Sequence, residues 1–329
     1  MIGKSDIQTI SQSARILLTC GDNFALMKQA VDDMYQVFSA ITGVTIQQLN
    51  QDKDIMLPSG KAIGMAGAAH CLLEMKRTAV FLRGIHNAIA LKLSANNCPI
   101  HILYAGTGPF GTLITPLLLL YNPEEIKVDL LDINQDSLTA LQKIIDVLEI
   151  GKYIGEIYCT DATTMKLNHP YDIVVSETMQ ACLKNEPQVA VMQNLIPQLN
   201  DQCIFIPEEI SIDACFTNLR MEMDRMMSSS ENVPPPFERR PLGNVFTIKR
   251  DDVSTIMSGK RKVIPCDVAA FPVLKLFTTV KVFGDEVLTE NNSSLNLPKP
   301  FYDFRKHPAN EIEFLYVTGE KPGIEINLF

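Results

Sequence analysis

From Ser5 to about Leu93 the apolar residues recur every three to four positions, as in Leu26, Ala30, Val31, Met34, Val37 and Phe38. That spacing places them on one face of a helix. The stretch Leu57-Pro58-Ser59-Gly60 interrupts the pattern, since proline and glycine both disfavour a helix interior. From Pro99 to about Phe216 short continuous apolar runs alternate with helical patterns, which predicts βαβ units and a parallel sheet buried on both faces. The predicted strands span 99–105, 126–133, 156–161, 171–177 and 202–207. Helices are predicted at Gly111 to Leu120 and Ser137 to Leu148, the second with Asn134 or Asp136 available as its N-cap. Beyond Phe216 come a Met-rich stretch and the proline-bearing loop 228–241, then predicted strands at 273–283 and 311–319. The fold class expected is α/β: a Rossmann-like, mostly parallel sheet over 96–216, preceded by a helical region over 1–95 and followed by a mostly-β domain over 217–329.

Composition changes this picture little. Hydrophobic residues make up 46% and charged residues 20% of the 329-residue chain, close to ordinary globular usage. The net charge of −9 argues against a nucleic-acid backbone as partner, because that role needs a basic face. The eight cysteines, at positions 20, 71, 98, 159, 182, 203, 215 and 266, form no C-x-x-C pair and accompany no histidine cluster, so no metal site is expected. They read as reduced thiols, which points to the cytoplasm. The N-terminus has no apolar signal core, and the most lipid-like run, 113–121, is short and broken by Pro116, so no membrane association is expected.

The chemistry concentrates at predicted strand ends. Gly106, Gly108 and Gly111 stand in G-x-G-x-x-G spacing at a strand-to-helix turn, with Pro109 suited to a first helical turn. Such glycines let backbone approach a nucleotide-like ligand, but the pattern alone is weak. The next strand ends in Asp132, 26 residues after Gly106, where a carboxylate can accept from both ribose hydroxyls. The third ends in Asp161, followed by Ala162, where a carboxylate or backbone amide reaches an adenine edge. Each aspartate alone is more often a strand-end turn or helix-cap residue. Three such features on consecutive strand ends point together to a nucleotide-like cofactor.

This order resembles class I S-adenosylmethionine-dependent methyltransferases over roughly residues 65–216. The fourth strand runs into SETMQACLKNEP (176–187), in which Ser176, Glu177, Met179, Leu183 and Glu186 fall at the spacings of the double-glutamate loop of protein arginine methyltransferases. The stretch 72–89 resembles that family's helix before the first strand, with Arg77 and Thr78 at its Arg-Thr pair, and 203–212 resembles its fifth strand. The resemblance implies S-adenosyl-L-methionine as cofactor, held by Arg77, Tyr104, Gly106, Thr107, Gly108, Asp132, Ile133, Asp161, Ala162 and Glu177, with Arg77 on the cofactor carboxylate. It makes 1–95 a lid or cofactor cover and 217–329 a substrate or oligomerisation domain.

Glu177 and Glu186 are then the catalytic pair. Two close carboxylates repel, and one titrates high, unless a cation lies between them. A guanidinium or amine supplies that cation, so N-methylation of a guanidino or amino group on a small molecule or peptide is expected, and the family resemblance allows a homodimer. Three departures qualify it. Tyr104 stands where the family usually carries an acid, the chain has no tryptophan and hence no Thr-His-Trp triplet, with His307 the tail's lone histidine, and the family's dimerisation arm is not recognisable. The competing readings are an NAD(P)-dependent oxidoreductase using the same glycines, a non-catalytic protein keeping the methyltransferase fold, and a transferase moving another group from the same cofactor.

Overall fold

The computed structural model describes residues 4–95, 99–227, 238–253, 259–265, 268–305 and 308–329. His307 and most of the loop 228–241 lie outside the described residues.

The first segment is helical, with one exception. Helices α1 (Lys4–Thr19) and α2 (Phe24–Thr42) pack their apolar stripes, including Ile10, Leu17, Met27, Met34 and Phe38, into the main core. Asn23 caps α2 by accepting from the Leu26 amide at 3.2 Å, and Gly43 ends it in the left-handed conformation at φ 79°. The break expected at Leu57–Gly60 is a hairpin of β1 (Ile55–Leu57) and β2 (Gly60–Ala62) turning through Pro58 and Ser59. Three-residue strands are too short to show a period of two. Helices α3 (Met65–His70) and α4 (Met75–Ala95) follow, and α4 buries Phe81, Leu82, Ile85 and Ile89.

The second segment builds the parallel sheet. Its elements are β3 (Ile100–Ala105), α5 (Thr115–Leu118), β4 (Ile126–Asp132), α6 (Gln135–Val147), β5 (Ile154–Cys159), β6 (Ile173–Ser176), α7 (Gln188–Leu195) and β7 (Ile204–Ile206). All neighbours are parallel, in the order β5-β4-β3-β6-β7. The central strands are largely buried on both faces, which is why they read as short, mostly apolar runs broken only by His101, Lys127 and Asp129. Asn134 caps α6, accepting from the amides of Asp136 at 2.9 Å and Ser137 at 3.3 Å. The helix expected over 111–120 shortens to α5, because Gly111 takes φ 56° and holds the chain in turns up to Ile114.

Pro207, which cannot donate to a ladder, follows β7, and the chain then leaves the parallel sheet. Strand β8 (Glu209–Thr217) alternates buried Ile210, Ile212 and Ala214 with more open neighbours and belongs to an antiparallel sheet. After α8 (Leu219–Met227) come β9 (Arg240–Lys249), β10 (Lys260–Val263), β11 (Val273–Phe283), β12 (Glu286–Leu288), β13 (Lys299–Asp303), β14 (Glu311–Val317) and β15 (Gly323–Leu328). One sheet runs β12-β11-β8-β9 with β13 on β11; the other runs β10-β14-β15. Phe246 of β9 and Tyr316 of β14 stack at 4.8 Å and join them. The whole is the expected α/β architecture: a Rossmann-like sheet with helices before it and β structure after it. No described helix is long and apolar enough to cross a membrane.

Candidate functional site

The strand order reverses at β3, whose neighbours β4 and β6 lie on opposite sides. In such sheets ligands bind beyond the carboxyl ends of the strands at this switch point. Ala105 of β3 is level with Leu131 of β4 and Ser176 of β6, so Gly106, Asp132 and Glu177 leave the sheet side by side. A cavity of about 850 Å³ opens there. Its wall includes Arg77, Tyr104, Gly106, Thr107, Gly108, Asp132, Ile133, Asp161, Ala162, Glu177 and Glu186, which brings together every site residue expected from the sequence.

The glycine turn is shaped by close approach. Gly106 sits at φ 81°, and a Cβ there would lie 2.5 Å from Thr178 Cγ2 on the glutamate loop. Gly108, at φ 59°, faces Ala68 of α3. The amides of Gly106 and Thr107 donate to the Leu131 carbonyl at 2.8 and 3.2 Å. Asp132 locks the turn from the next strand: one carboxylate oxygen accepts from Gly108 N–H at 2.7 Å and the other from Asn134 N–H at 2.8 Å. Burial pushes its carboxyl up, while these hydrogen bonds draw it back. Asp161 closes a local turn, accepting from the Thr163 amide at 2.8 Å and hydroxyl at 2.7 Å through one oxygen. Tyr104 is buried in the wall, and burial followed by the Glu177 charge raises its hydroxyl, so it stays neutral.

Arg77 sits in the first turn of α4 and is buried. Its guanidinium donates to Glu74 at 3.1 Å and to Glu177. A guanidinium has five N–H donors, so these two contacts leave others for a ligand carboxylate. Glu74, which sequence reasoning did not single out, also accepts from the Ser294 amide at 3.1 Å and ties the helix to the C-terminal segment.

The glutamate loop is held from three sides. Thr178 donates to Gln188 Oε1 through its amide at 2.9 Å and its hydroxyl at 3.0 Å. From the C-terminal sheets, Thr278 Oγ1 accepts from the Cys182 amide at 2.8 Å, Tyr316 donates to the Leu183 carbonyl at 3.0 Å, and the Pro322 carbonyl accepts from Asn185 N–H at 2.8 Å. From the N-terminal segment, the Lys61 amide donates to the Asn185 carbonyl at 2.8 Å, and a Cβ on Gly60 would lie 2.7 Å from that carbonyl. These anchors hold Cys182, Leu183 and Asn185 at positive φ.

Both glutamates are buried. Burial raises the Glu177 carboxyl and Arg77 opposes the rise; its Oε1 is buried with no hydrogen-bond partner. Glu186 is pushed up to about 7, first by burial and then by the Glu177 charge. Burial is the larger cause, and the Glu177 charge adds repulsion to it. Glu177 Oε1 is thus a buried acceptor in the cavity wall with no donor of its own, which suits a hydrogen-bonding ligand. Among the described residues no cluster has the makings of a metal site.

No known family pattern matches the sequence, and no curated protein matches it in sequence. The fold, in contrast, is shared with solved structures. One is the Trypanosoma brucei PRMT1 enzyme-prozyme heterotetrameric complex with AdoHcy, at TM-score 0.51 and 14% identity over 79% of this chain and 91% of that one. Another is PRMT6, at TM-score 0.53 and 10% identity over 80% of this chain and 98% of that one.

Proposed function

We propose that this chain is an S-adenosylmethionine-dependent methyltransferase acting on the nitrogen of a guanidino or amino group. The observation that carries the reading is the buried pair Glu177 and Glu186 on one clamped loop, with Glu186 near neutrality and Glu177 Oε1 unpartnered. The shared fold supports it, and one of the two solved neighbours was captured with AdoHcy.

The residues fit the cofactor. Gly106 and Gly108 expose bare backbone at the switch point, and Asp132 presents a buried carboxylate beside them. In this reading Asp132 holds the ribose, with Thr107 and Ile133 beside it; Asp161 and Ala162 border the adenine, and the free donors of Arg77 take the carboxylate. Tyr104 replaces the usual acid with a neutral phenol, so the amino group is left to other contacts. When bound, the cofactor supplies an electrophilic methyl group.

The chain's own contribution is orientation. Glu177 Oε1 accepts from one face of the acceptor cation, and Glu186 accepts from another, turning the nucleophilic nitrogen toward the methyl donor. The methylated nitrogen must release one proton, and Glu186, titrating near 7, takes it at a carboxylate oxygen. The hairpin β1–β2 and the C-terminal strands clamp the loop through their hydrogen bonds to Cys182, Leu183 and Asn185. The buried Tyr104 favours a second reading, a binding protein that retains the fold without transfer. The two separate on turnover: labelled methyl from S-adenosylmethionine is followed onto guanidino and amino acceptors. Glu177→Gln and Glu186→Gln are expected to reduce transfer by about 10²-fold through lost orientation. Full turnover in both variants would move the acceptor to oxygen or carbon, and cofactor binding without transfer to any acceptor would favour the binding protein.

A further inference from the structure

The cavity has a second charged feature that the mechanism above does not use. Lys184, Lys299 and Lys321 line it, and all three are exposed. They come from three separate places: the glutamate loop, the start of β13 and the turn between β14 and β15. The fold brings them together. The hydrogen bond from the Asn185 amide to the Pro322 carbonyl, 2.8 Å, joins the segments carrying Lys184 and Lys321. The Lys184 stem lies 3.7 Å from where a Cβ on Gly323 would be. Lys184 and Lys299 both act electrostatically on the buried Cys182 thiol.

Among the described residues these lysines have no hydrogen-bond or ion-pair partner, in a chain of net charge −9. Elsewhere Lys28, Lys61, Lys76, Lys275 and Lys281 each pair with a carboxylate. No side-chain hydrogen bond or ion pair engages Lys184, Lys299 or Lys321 among the described residues. Glu325 is the one exposed acid that shares the cavity with them, so the rim keeps an excess of positive charge. Three like charges lining one cavity oppose one another. The cavity wall carries two buried carboxylates, Glu177 and Glu186, together with three exposed lysine side chains. Its volume, about 850 Å³, is within the upper range for small-molecule sites.

We propose that the lysine rim binds an anionic group of the acceptor, so that the acceptor is a compact zwitterion with its basic nitrogen on Glu177 and Glu186 and a carboxylate or phosphate on Lys184, Lys299 and Lys321. This rests on the acceptor reading of the glutamate pair and adds the second half of the substrate.

The test uses the full chain with S-adenosylhomocysteine present and titrates three probes calorimetrically at low salt: n-butylguanidine, 4-guanidinobutyrate and 2-guanidinoethyl phosphate. At least one zwitterion is expected to bind about tenfold tighter than n-butylguanidine, the scale of a few partly exposed ion pairs. Which one does so distinguishes carboxylate from phosphate. The preference should shrink as salt rises, and should fall below about threefold in the exposed-site variant Lys184→Met/Lys299→Met/Lys321→Met. Equal binding of all three probes, a preference that survives the triple substitution, or no binding of either zwitterion overturns the inference. Failure of the underlying reading looks different. It shows as no binding of S-adenosylhomocysteine when it is titrated alone, or as guanidine binding that Glu177→Gln leaves unchanged.

Discussion

Replacing Glu186 with glutamine removes a charge that the folded chain tolerates poorly. The side chain is 6% exposed, and its carboxyl moves from 4.5 to about 7 on burial beside Glu177. Below about pH 4.5 the group is protonated in folded and unfolded chains alike and costs nothing. As pH rises from about 4.5 toward 7 the unfolded chain ionises while the folded one stays protonated, so stability is lost across that window and stays lower above about 7. At about 1.4 kcal/mol per pH unit, the cost at pH 8 is about 3 kcal/mol, and at pH 5 it is under about 1 kcal/mol. Glu186→Gln should therefore raise the free energy of unfolding at pH 8 by up to about 3 kcal/mol and change it little at pH 5. Urea unfolding of both proteins at the two pH values reads this directly. A cationic acceptor should narrow the gap at pH 8, since it stabilises the ionised parent. An equal gain at both pH values, or a loss at pH 8, would refute the electrostatic account of the pair.

Asp132→Ala is expected to weaken S-adenosylhomocysteine by about 1–3 kcal/mol in calorimetry, the scale for hydrogen bonds to a charged group; unchanged affinity removes Asp132 from the cofactor site. Gly106→Ala adds a Cβ 2.5 Å from Thr178 Cγ2 at φ 81°, so about 1–3 kcal/mol of stability should be lost in denaturant unfolding, and a variant as stable as the parent contradicts the crowding. Gly60→Ala meets the Asn185 carbonyl at 2.7 Å and should lift the hairpin from the glutamate loop. Its acceptor KM should rise while cofactor Kd moves less, and equal changes in both would count against a hairpin contact specific to the acceptor side.

Much of the sheet was legible because strands buried on both faces leave mostly apolar runs. Ile126–Asp132 is mostly apolar and buried, interrupted by Lys127 and Asp129, and it delivers Asp132 to the strand end. Strand β5 was legible too, although it is a half-exposed edge. The apolar pattern predicts a parallel sheet up to about Phe216, which misses that β8 leaves it: Ile210, Ile212 and Ala214 alternate with more open neighbours in an antiparallel sheet. The hairpin at 55–62 left no trace, since Gly60 looked like a helix breaker and its contact with Asn185 is far away in sequence. The C-terminal contribution was illegible for the same reason. Periodicity predicts strands at 273–283 and 311–319, but nothing local says that Thr278 and Tyr316 will hold the glutamate loop or that Lys299 and Lys321 will meet Lys184. Arg77 was placed by its motif, whereas its engagement with Glu74 and Glu177 needed the fold.

The central claim is that the switch-point cavity binds an S-adenosyl cofactor. Calorimetric titration of the purified chain with S-adenosylhomocysteine and, separately, with NADH tests it most directly. Saturable binding of S-adenosylhomocysteine, weakened by Asp132→Ala, with no binding of NADH, is the result predicted; binding of NADH in its place, or of neither, contradicts the account.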